Sequence, residues 1–224
     1  NNVEISSTVM TGGKLVIASR YDTYTPANSS DIEFFIINTD GTYISQRISN
    51  PNVFRKIYQI TADAGGNIYA AGYIKNGSSS SARENGYLTK FNSSLVLQWT
   101  KTIVDSVRNS TIFKNIKVNS YGQIIVSGEA YNNYGAVITW SKGALISAKI
   151  KNNGSTYWYR RYSKPDSGYV FRNHSMLLDA NDNIIMGGDN VKGLDWLLGS
   201  LVKYDLLGNL IWTRDDSYGS FPRF

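Results

Sequence analysis

The sequence predicts an all-β fold: a β-propeller of four blades, each a four-stranded sheet. The first observation is a repeated strand opener, in which Gly or Asp precedes a short run of apolar and β-branched residues. The openers begin at Gly13, Gly66, Gly122 and Asp182, so successive copies are 53, 56 and 60 residues apart. Self-similarity near 50 residues in a chain with β-type patterning is typical of propellers, in which each repeat is one blade.

The second observation is an element that follows each opener with constant internal spacing. In three copies a lysine stands nine residues before a tryptophan: Lys90 and Trp99, Lys149 and Trp158, Lys203 and Trp212. The first copy has Ile36 and Ser45 in those places. A large ring at one place in every repeat indicates packing between neighbouring blades. We therefore predict structural roles for the three tryptophans, and lysines with packed stems and hydrated heads.

Each copy divides into four short apolar stretches. They predict a single domain over residues 1–224, with blades at about 3–49, 57–103, 115–163 and 174–216. Asp63, Asn119 and Asp179 each stand three residues before an opener, where their side chains favour a tight turn. The openers end in small residues, which we expect to let neighbouring sheets approach closely.

The arrangement of the four copies leaves two alternatives open. They either close into a four-bladed ring, which we favour, or form an arc of a larger propeller. Length varies most in the segments after the second and fourth stretches of each copy. We expect these two sets of segments on opposite faces of the propeller, with binding placed among them.

The composition excludes several classes of protein. Without cysteine, the chain has no disulfide, no cysteine nucleophile and no cysteine metal site. The net charge of +6 suits acidic partners, but Lys and Arg are scattered through all four copies, which argues against a nucleic-acid surface. No apolar run of about 18 residues occurs, so we expect no membrane insertion. The chain begins with Asn1 rather than Met, and we expect a processed or excised piece of a longer protein.

The second copy carries the fullest repeat. It reads ITADAGGNIYAAGY over residues 60–73, then YLTKFNSS over 87–94, then Gln98-Trp99. This block resembles the SBBP type of β-propeller repeat, which occurs in bacterial surface proteins and in some phage virion proteins. A tryptophan after a Gly-type turn, as in the stretch from Gly208 to Trp212, is similar to the tryptophan-docking repeat of quinoprotein-like propellers. The resemblance implies a propeller fold and a role in adhesion, scaffolding or binding.

Aromatic and amide side chains in and beside the variable segments are the candidate ligand-binding residues. Aromatic faces cover the C–H surface of a sugar ring, while amides bond its hydroxyls. The candidates are Tyr131, Asn132, Asn133, Tyr134, Trp140 and Trp196. Strand packing is the alternative explanation for Trp140 and Trp196, which stand outside the register of the repeated tryptophans.

The remaining titratable residues predict no catalytic residue, no metal and no cofactor. His174 is the only histidine, and neither a metal-binding spacing nor a nucleophile-elbow motif accompanies it. Arg160 and Arg161 lie among tyrosines on a fourth stretch, where charge protects the edge of a blade. Four aspartates match no calcium loop and are expected in turns: Asp179, Asp182, Asp189 and Asp195.

These observations favour a non-enzymatic structural or attachment module of a larger extracellular or virion assembly, such as a phage tail or fibre component. Its partners would be neighbouring structural chains or a surface glycan, held by several weak loop contacts. The alternative is a lectin-like propeller that binds carbohydrate by itself. A homo-oligomer is compatible with both. A cofactor enzyme of the quinoprotein type would need an axial acid–base and metal set that the sequence does not contain.

Overall fold

The computed structural model describes residues 2–23, 29–50, 53–76, 82–132, 143–164, 169–192 and 196–217. These residues form sixteen β-strands with their turns, and none of them lies in a helix. The strands make four antiparallel sheets, each of four strands that are consecutive in the chain. The prediction of an all-β fold with four four-stranded blades is confirmed.

The strands follow one another in simple order. The first sheet contains β1 (Asn2–Thr11), β2 (Lys14–Thr23), β3 (Ser29–Ile37) and β4 (Tyr43–Ile48). The second contains β5 (Val53–Ala62), β6 (Ile68–Asn76), β7 (Asn85–Phe91) and β8 (Leu97–Ile103). The third contains β9 (Ser110–Val118), β10 (Ile124–Tyr131), β11 (Ala144–Ile150) and β12 (Thr156–Tyr162). The fourth contains β13 (Tyr169–Leu178), β14 (Ile184–Lys192), β15 (Trp196–Tyr204) and β16 (Leu210–Ser217).

Apolar side chains between successive sheets form the core. One cluster joins the first and second sheets and includes Phe34 and Phe91, whose ring centroids are 4.7 Å apart. A second cluster joins the second and third sheets around Phe113, and a third joins the third and fourth around Phe171. Strand β10 is buried throughout Ile124–Gly128 because both its faces meet a neighbouring sheet. Burial on both faces explains why the openers of the two middle sheets are continuous apolar runs.

The four sheets form an open arc, so the closed ring that we favoured is wrong for the described residues. Among them, no apolar cluster joins the fourth sheet to the first. The outer faces at both ends are open: Met10 and Tyr43 of the first sheet are 64% and 63% exposed, and Trp212 of the fourth is 38% exposed. The packing predicted for Trp212 is therefore not present in this part of the chain.

A lysine and a tryptophan bind the last turn of the next sheet, and we call this contact the Lys–Trp clasp. The Trp99 Nε1 donates to the Asn152 carbonyl at 3.0 Å, and the Lys90 ammonium donates to the Asn152 side chain. Lys90 lies opposite Trp99 across two paired strands, so both side chains point to the same neighbouring sheet. The third sheet clasps the fourth in the same way. The Lys149 ammonium and the Trp158 Nε1 both donate to the Leu206 carbonyl, at 3.0 and 3.3 Å.

The clasp depends on a buried lysine and on a glycine in the receiving turn. Lys90 and Lys149 are 9% and 3% exposed, so the prediction that their heads lie in water is wrong. Burial lowers the pKa of Lys149, against the opposing field of two nearby carboxylates. The receiving turn must leave room for the indole, because a Cβ on Gly208 would lie 2.9 Å from the ring of Trp158.

Within the described residues, the first sheet forms no such clasp. Its last two strands lack the bulge found at this place in the other sheets, so Ile36 pairs with Ile44. Ser45 pairs one residue further on and faces the opposite side, so our placement of Ser45 in the tryptophan's position is wrong. The receiving turn differs as well, because buried Leu95 replaces the glycine. A cleft of about 200 Å³ bordered by Ile36 and Ser93 lies at this junction.

Removing two tryptophans one at a time should distinguish a packed indole from an unpacked one. Trp158 is 6% exposed, and Trp158→Ala should lower the free energy of unfolding by about 3–5 kcal/mol. Trp212 lies on an open face, and Trp212→Ala should lower it by less than about 1 kcal/mol. Urea unfolding followed by circular dichroism measures both. Equal losses would contradict the placement of Trp212 on an open face.

Candidate functional site

The first strands of the four sheets line the inner side of the arc. Strand β1 contacts β5, β5 contacts β9, and β9 contacts β13. Each first strand has a β-bulge at the same place in its pairing with the second strand. A bulge redirects a side chain out of the regular pleat and is common beside binding sites. The residues that the pairing skips are Ser6, Tyr58, Lys114 and His174.

Glycines on the second strands make room for three of these bulges. At Gly72, Gly128 and Gly188, a backbone carbonyl oxygen of the bulged strand lies 1.8, 1.9 and 2.2 Å from where a Cβ would stand. A side chain there would collide with backbone, which cannot rotate away. We expected these small residues to allow contact between sheets. The close approach is instead within one sheet, between its first and second strands.

Three bulged residues border an open, polar cleft of about 420 Å³, which we call the inner cleft. A volume of a few hundred Å³ is in the range of pockets for small molecules. Amide, hydroxyl, ammonium and imidazole groups are all present in its lining, together with one aromatic ring. The lining residues are Ser7, Tyr58, Gln59, Lys114, Asn115, Asn173 and His174.

Hydrogen bonds between first strands hold the amides of the inner cleft. The Gln59 Oε1 accepts from the Ile116 N–H at 2.7 Å, which ties the second sheet to the third. The Asn173 Oδ1 accepts from the Asn115 Nδ2 at 2.6 Å and from the Ser127 hydroxyl at 2.9 Å, which ties the third sheet to the fourth. The shape of the inner cleft is therefore fixed by the same contacts that join the sheets.

A cation and an aromatic ring meet at the centre of the lining. The Lys114 Nζ lies 4.1 Å from the centre of the Tyr58 ring and 3.6 Å from the Glu129 Oε1. Burial raises the pKa of Glu129, against the pull of the Lys114 ammonium. The other Glu129 oxygen accepts from the Asn173 N–H at 3.0 Å. Both oxygens of the Glu129 carboxylate are thus in contact with groups of the protein.

His174 brings an exposed imidazole to the inner cleft. Its side chain is 63% exposed, and its Nε2 lies 2.7 Å from the Asp189 Oδ1. The second ring nitrogen is outside this contact and is the group with which a ligand could bond. In the described part of the chain, no group of three His, Asp or Glu side chains could hold a metal ion. No helix able to cross a membrane occurs in that part either.

Two of the six sequence-predicted ligand-binding residues are described with their side chains. Tyr131 donates to the Glu84 carboxylate, and burial raises its pKa with help from that negative charge. The Asn132 Oδ1 accepts from the Asn109 N–H at 3.3 Å. The Tyr131 bond ties the third sheet to the segment after β6 of the second, and the Asn132 bond holds the link that leads into β9. Outside the described residues lie Asn133, Tyr134 and Trp140, together with the side chain of Trp196, which begins β15.

The two sets of variable segments lie on one face, which we call the loop face. The Glu84 carbonyl, in the segment after β6, accepts from the N–H of Thr111 in β9 at 2.7 Å. In an antiparallel four-stranded sheet the second and fourth strands end on the same side, so both segments leave from that side. The prediction of opposite faces is therefore wrong.

A buried carboxylate anchors the loop face. Asp105 accepts from the Arg161 Nη1 at 2.7 and 3.0 Å and from the Tyr159 hydroxyl at 2.9 Å. Burial alone would raise the pKa of Asp105, but two backbone N–H groups, the Tyr159 hydroxyl and the Arg161 charge hold it below its usual range. The Arg160 Nε donates to the Gly208 carbonyl at 2.6 Å. Both arginines thus join neighbouring sheets, a role that we did not predict.

Sequence reasoning missed Tyr58, Lys114 and most of the inner cleft. A signal was present: Tyr58, Lys114 and His174 stand 14 residues before Gly72, Gly128 and Gly188. Each is a polar or amphipathic residue in the first strand of its sheet. Their constant distance from a small residue could have indicated a repeated bulge.

Comparison with protein families and with curated proteins gave no match. Among solved structures, a protein of unknown function from Dyadobacter fermentans DSM 18053 is similar, with a TM-score of 0.61 and 12% identity over 93% of this chain and 67% of that one. A GH43_12 protein retrieved from a capybara gut metagenome has a TM-score of 0.52 and 8% identity. The alignment covers 96% of this chain but 41% of that protein, a five-bladed propeller. At such identities the likeness shows the fold alone, which is that of a β-propeller.

Two adjacent glycines provide a matched test of the bulge. A Cβ at Gly188 would lie 2.2 Å from the Arg172 carbonyl oxygen, so Gly188→Ala should cost about 1–3 kcal/mol of unfolding free energy. At Gly187 the nearest atom is the Ser175 hydroxyl at 3.0 Å, which can rotate away, so Gly187→Ala should change stability by less than about 0.5 kcal/mol. Urea unfolding measures both variants. Similar losses of unfolding free energy would show that the bulge is not the reason why position 188 is a glycine.

Asp105→Asn should make the free energy of unfolding change less with pH in the acidic range. The pKa of Asp105 is lower in the folded state, so its charge stabilises the fold above the unfolded pKa of about 4. That contribution disappears as the pH falls through the folded-state pKa. We expect the variant to be less stable at pH 7 and to lose less stability between about pH 5 and pH 2. Thermal unfolding of the wild type and the variant across a pH series measures this. If stability falls equally with pH in both proteins, the Asp105 charge makes no such contribution.

Proposed function

We propose that the chain is a non-enzymatic β-propeller attachment module whose inner cleft holds a sugar residue of a surface glycan. The observation that supports this most is the repeated bulge, which brings Tyr58, Lys114 and His174 from three sheets to one polar cleft. Side chains that no regular strand would bring together converge there, as they do at binding sites.

The chemistry of the lining suits a hydroxylated ring that carries negative charge. A phenol ring such as that of Tyr58 covers the C–H face of a sugar, and neighbouring amides bond hydroxyls. Lys114 and the exposed His174 would favour a carboxylate on that sugar, and the net charge of +6 favours approach of an acidic glycan. Uronic and sialic acids are therefore the ligands to test first.

The absence of catalysis is part of the proposal and rests on the two carboxylates beside the cleft. Glycoside hydrolysis requires a carboxylic acid and a carboxylate that face the scissile bond. Glu129 is engaged by Lys114 and by the Asn173 N–H, and Asp189 lies against His174. The extracellular or virion setting, such as a phage tail or fibre, is proposed from the SBBP resemblance. The alternative remains a lectin-like propeller that binds carbohydrate by itself, with the ligand at the candidate residues of the 131–140 loop and at Trp196.

A glycan array followed by calorimetric titration tests the proposal. Tyr58→Ala and His174→Ala should each weaken binding of an acidic glycan at least about tenfold. Tyr121→Ala is the matched control, because Tyr121 is 71% exposed in a turn away from the cleft. It should leave binding unchanged.

The other outcomes of the same experiment are informative. Loss of binding in Tyr134→Ala or Trp140→Ala, with Tyr58→Ala unaffected, would replace the proposal by the lectin-like alternative. A silent array would overturn sugar binding. Release of reducing sugar from a bound glycan would overturn the non-enzymatic assignment.

A further inference from the structure

The fourth sheet presents the donating half of a Lys–Trp clasp with no receiving turn among the described residues. Lys203 lies opposite Trp212 across paired strands, as Lys149 lies opposite Trp158 in the third sheet. The Trp212 side chain is 38% exposed, whereas Trp158 is 6% exposed. The Lys203 Nζ instead contacts Asp179 of its own sheet at 2.7 Å.

The first sheet presents the receiving half. Its 38–42 turn closes with an Asn38 N–H to Thr42 carbonyl bond of 2.8 Å, like the 2.9 Å bond that closes the 205–209 turn. Gly41 has a φ of 84°, close to the 83° of Gly208, which faces Trp158. Apart from Gly41 itself and its two chain neighbours, no described residue has an atom within 4 Å of where a Gly41 Cβ would stand. The space that an indole occupies beside Gly208 is therefore open beside Gly41.

The sheet faces that surround the two halves of the clasp are both largely apolar. On the fourth sheet, a row across the strands consists of Leu177, Ile185, Lys203 and Trp212. On the first sheet, the row facing away from its neighbour consists of Met10, Leu15, Ile37 and Tyr43. The equivalent row of the fourth sheet is packed against the third, where Ile184 is fully buried and Tyr204 is 4% exposed. In the first sheet, Leu15 and Ile37 at these two places are only half-buried, and Met10 beside Leu15 is exposed.

We propose that the fourth sheet of one copy docks on the first sheet of a second copy, with Trp212 and Lys203 clasping the 38–42 turn. In the internal clasps the lysine bonds the second residue of the receiving turn, which is Thr39 here. The next residue is the exposed Asp40, so charge is complementary beside that position. A second copy is the partner because this chain itself carries both halves of a junction that it forms twice internally. The contact joins unlike surfaces, so repeated docking gives a ring or a filament.

Sedimentation over a concentration range from about 1 to 500 μM tests the docking, because mass action favours assembly at the upper end. We expect the mass of the wild-type chain to rise with concentration. Trp212→Ala should abolish the rise by removing the donating indole. Gly41→Leu should abolish it by filling the seat, and Leu95 shows that the second sheet accepts leucine at the equivalent place.

Mixing the two variants identifies the surfaces. Each variant retains the half that the other has lost, so an equimolar mixture should form one junction and stop at twice the monomer mass. A wild-type chain that stays monomeric throughout would overturn the proposal. It would also be overturned if either variant assembled like the wild type, or if the mixture remained monomeric. Circular dichroism of both variants shows whether they are folded.

Discussion

The structure depends on the packing of a tryptophan ring against the glycine-containing turn between the last two strands of the next sheet. A four-stranded sheet whose two faces are both apolar is unstable in water until neighbours cover each face. The indole sets how closely two sheets approach, because a Cβ on Gly154 or Gly208 would lie within 3.2 Å of its ring. The paired lysine then donates to the same turn, which satisfies a backbone or amide oxygen that the junction buries.

The first junction shows that this seat can be filled in another way. There Ile44 takes the tryptophan's position and Leu95 takes the glycine's, so the side chain is smaller on one sheet and larger on the next. When one side of an interface loses side-chain volume and the other side gains it, the total volume is kept, and packing suffers less than it would from one of the two changes alone. Leu95 adopts a φ of 58°, which L-residues rarely do, because the turn keeps the geometry that glycine has elsewhere.

The sequence was sufficient to predict the four sheets because local patterns determine them. The openers of the second and third sheets are buried on both faces. Asn119 and Asp179 each accept from backbone N–H groups two and four residues further on, which closes the first turn. Closure could not be predicted, since it depends on the angle between sheets. That angle is set by side-chain volumes at each junction. The inner cleft was missed because a bulge interrupts the alternation on which strand patterns rest, so only the constant distance to a glycine could have indicated it.

The clasp and the inner cleft are mechanically coupled. Gln59 and Asn173 bond across the same junctions that the indoles hold, so the angle between sheets also fixes the distances among Tyr58, Lys114 and His174. A head-to-tail contact built like the internal junctions would continue that geometry from copy to copy. It would present one cleft per copy at regular spacing. Weak sites at fixed spacing bind a repetitive surface far more tightly than any single site does. Attachment by this chain would then follow from its assembly as much as from its affinity for one sugar.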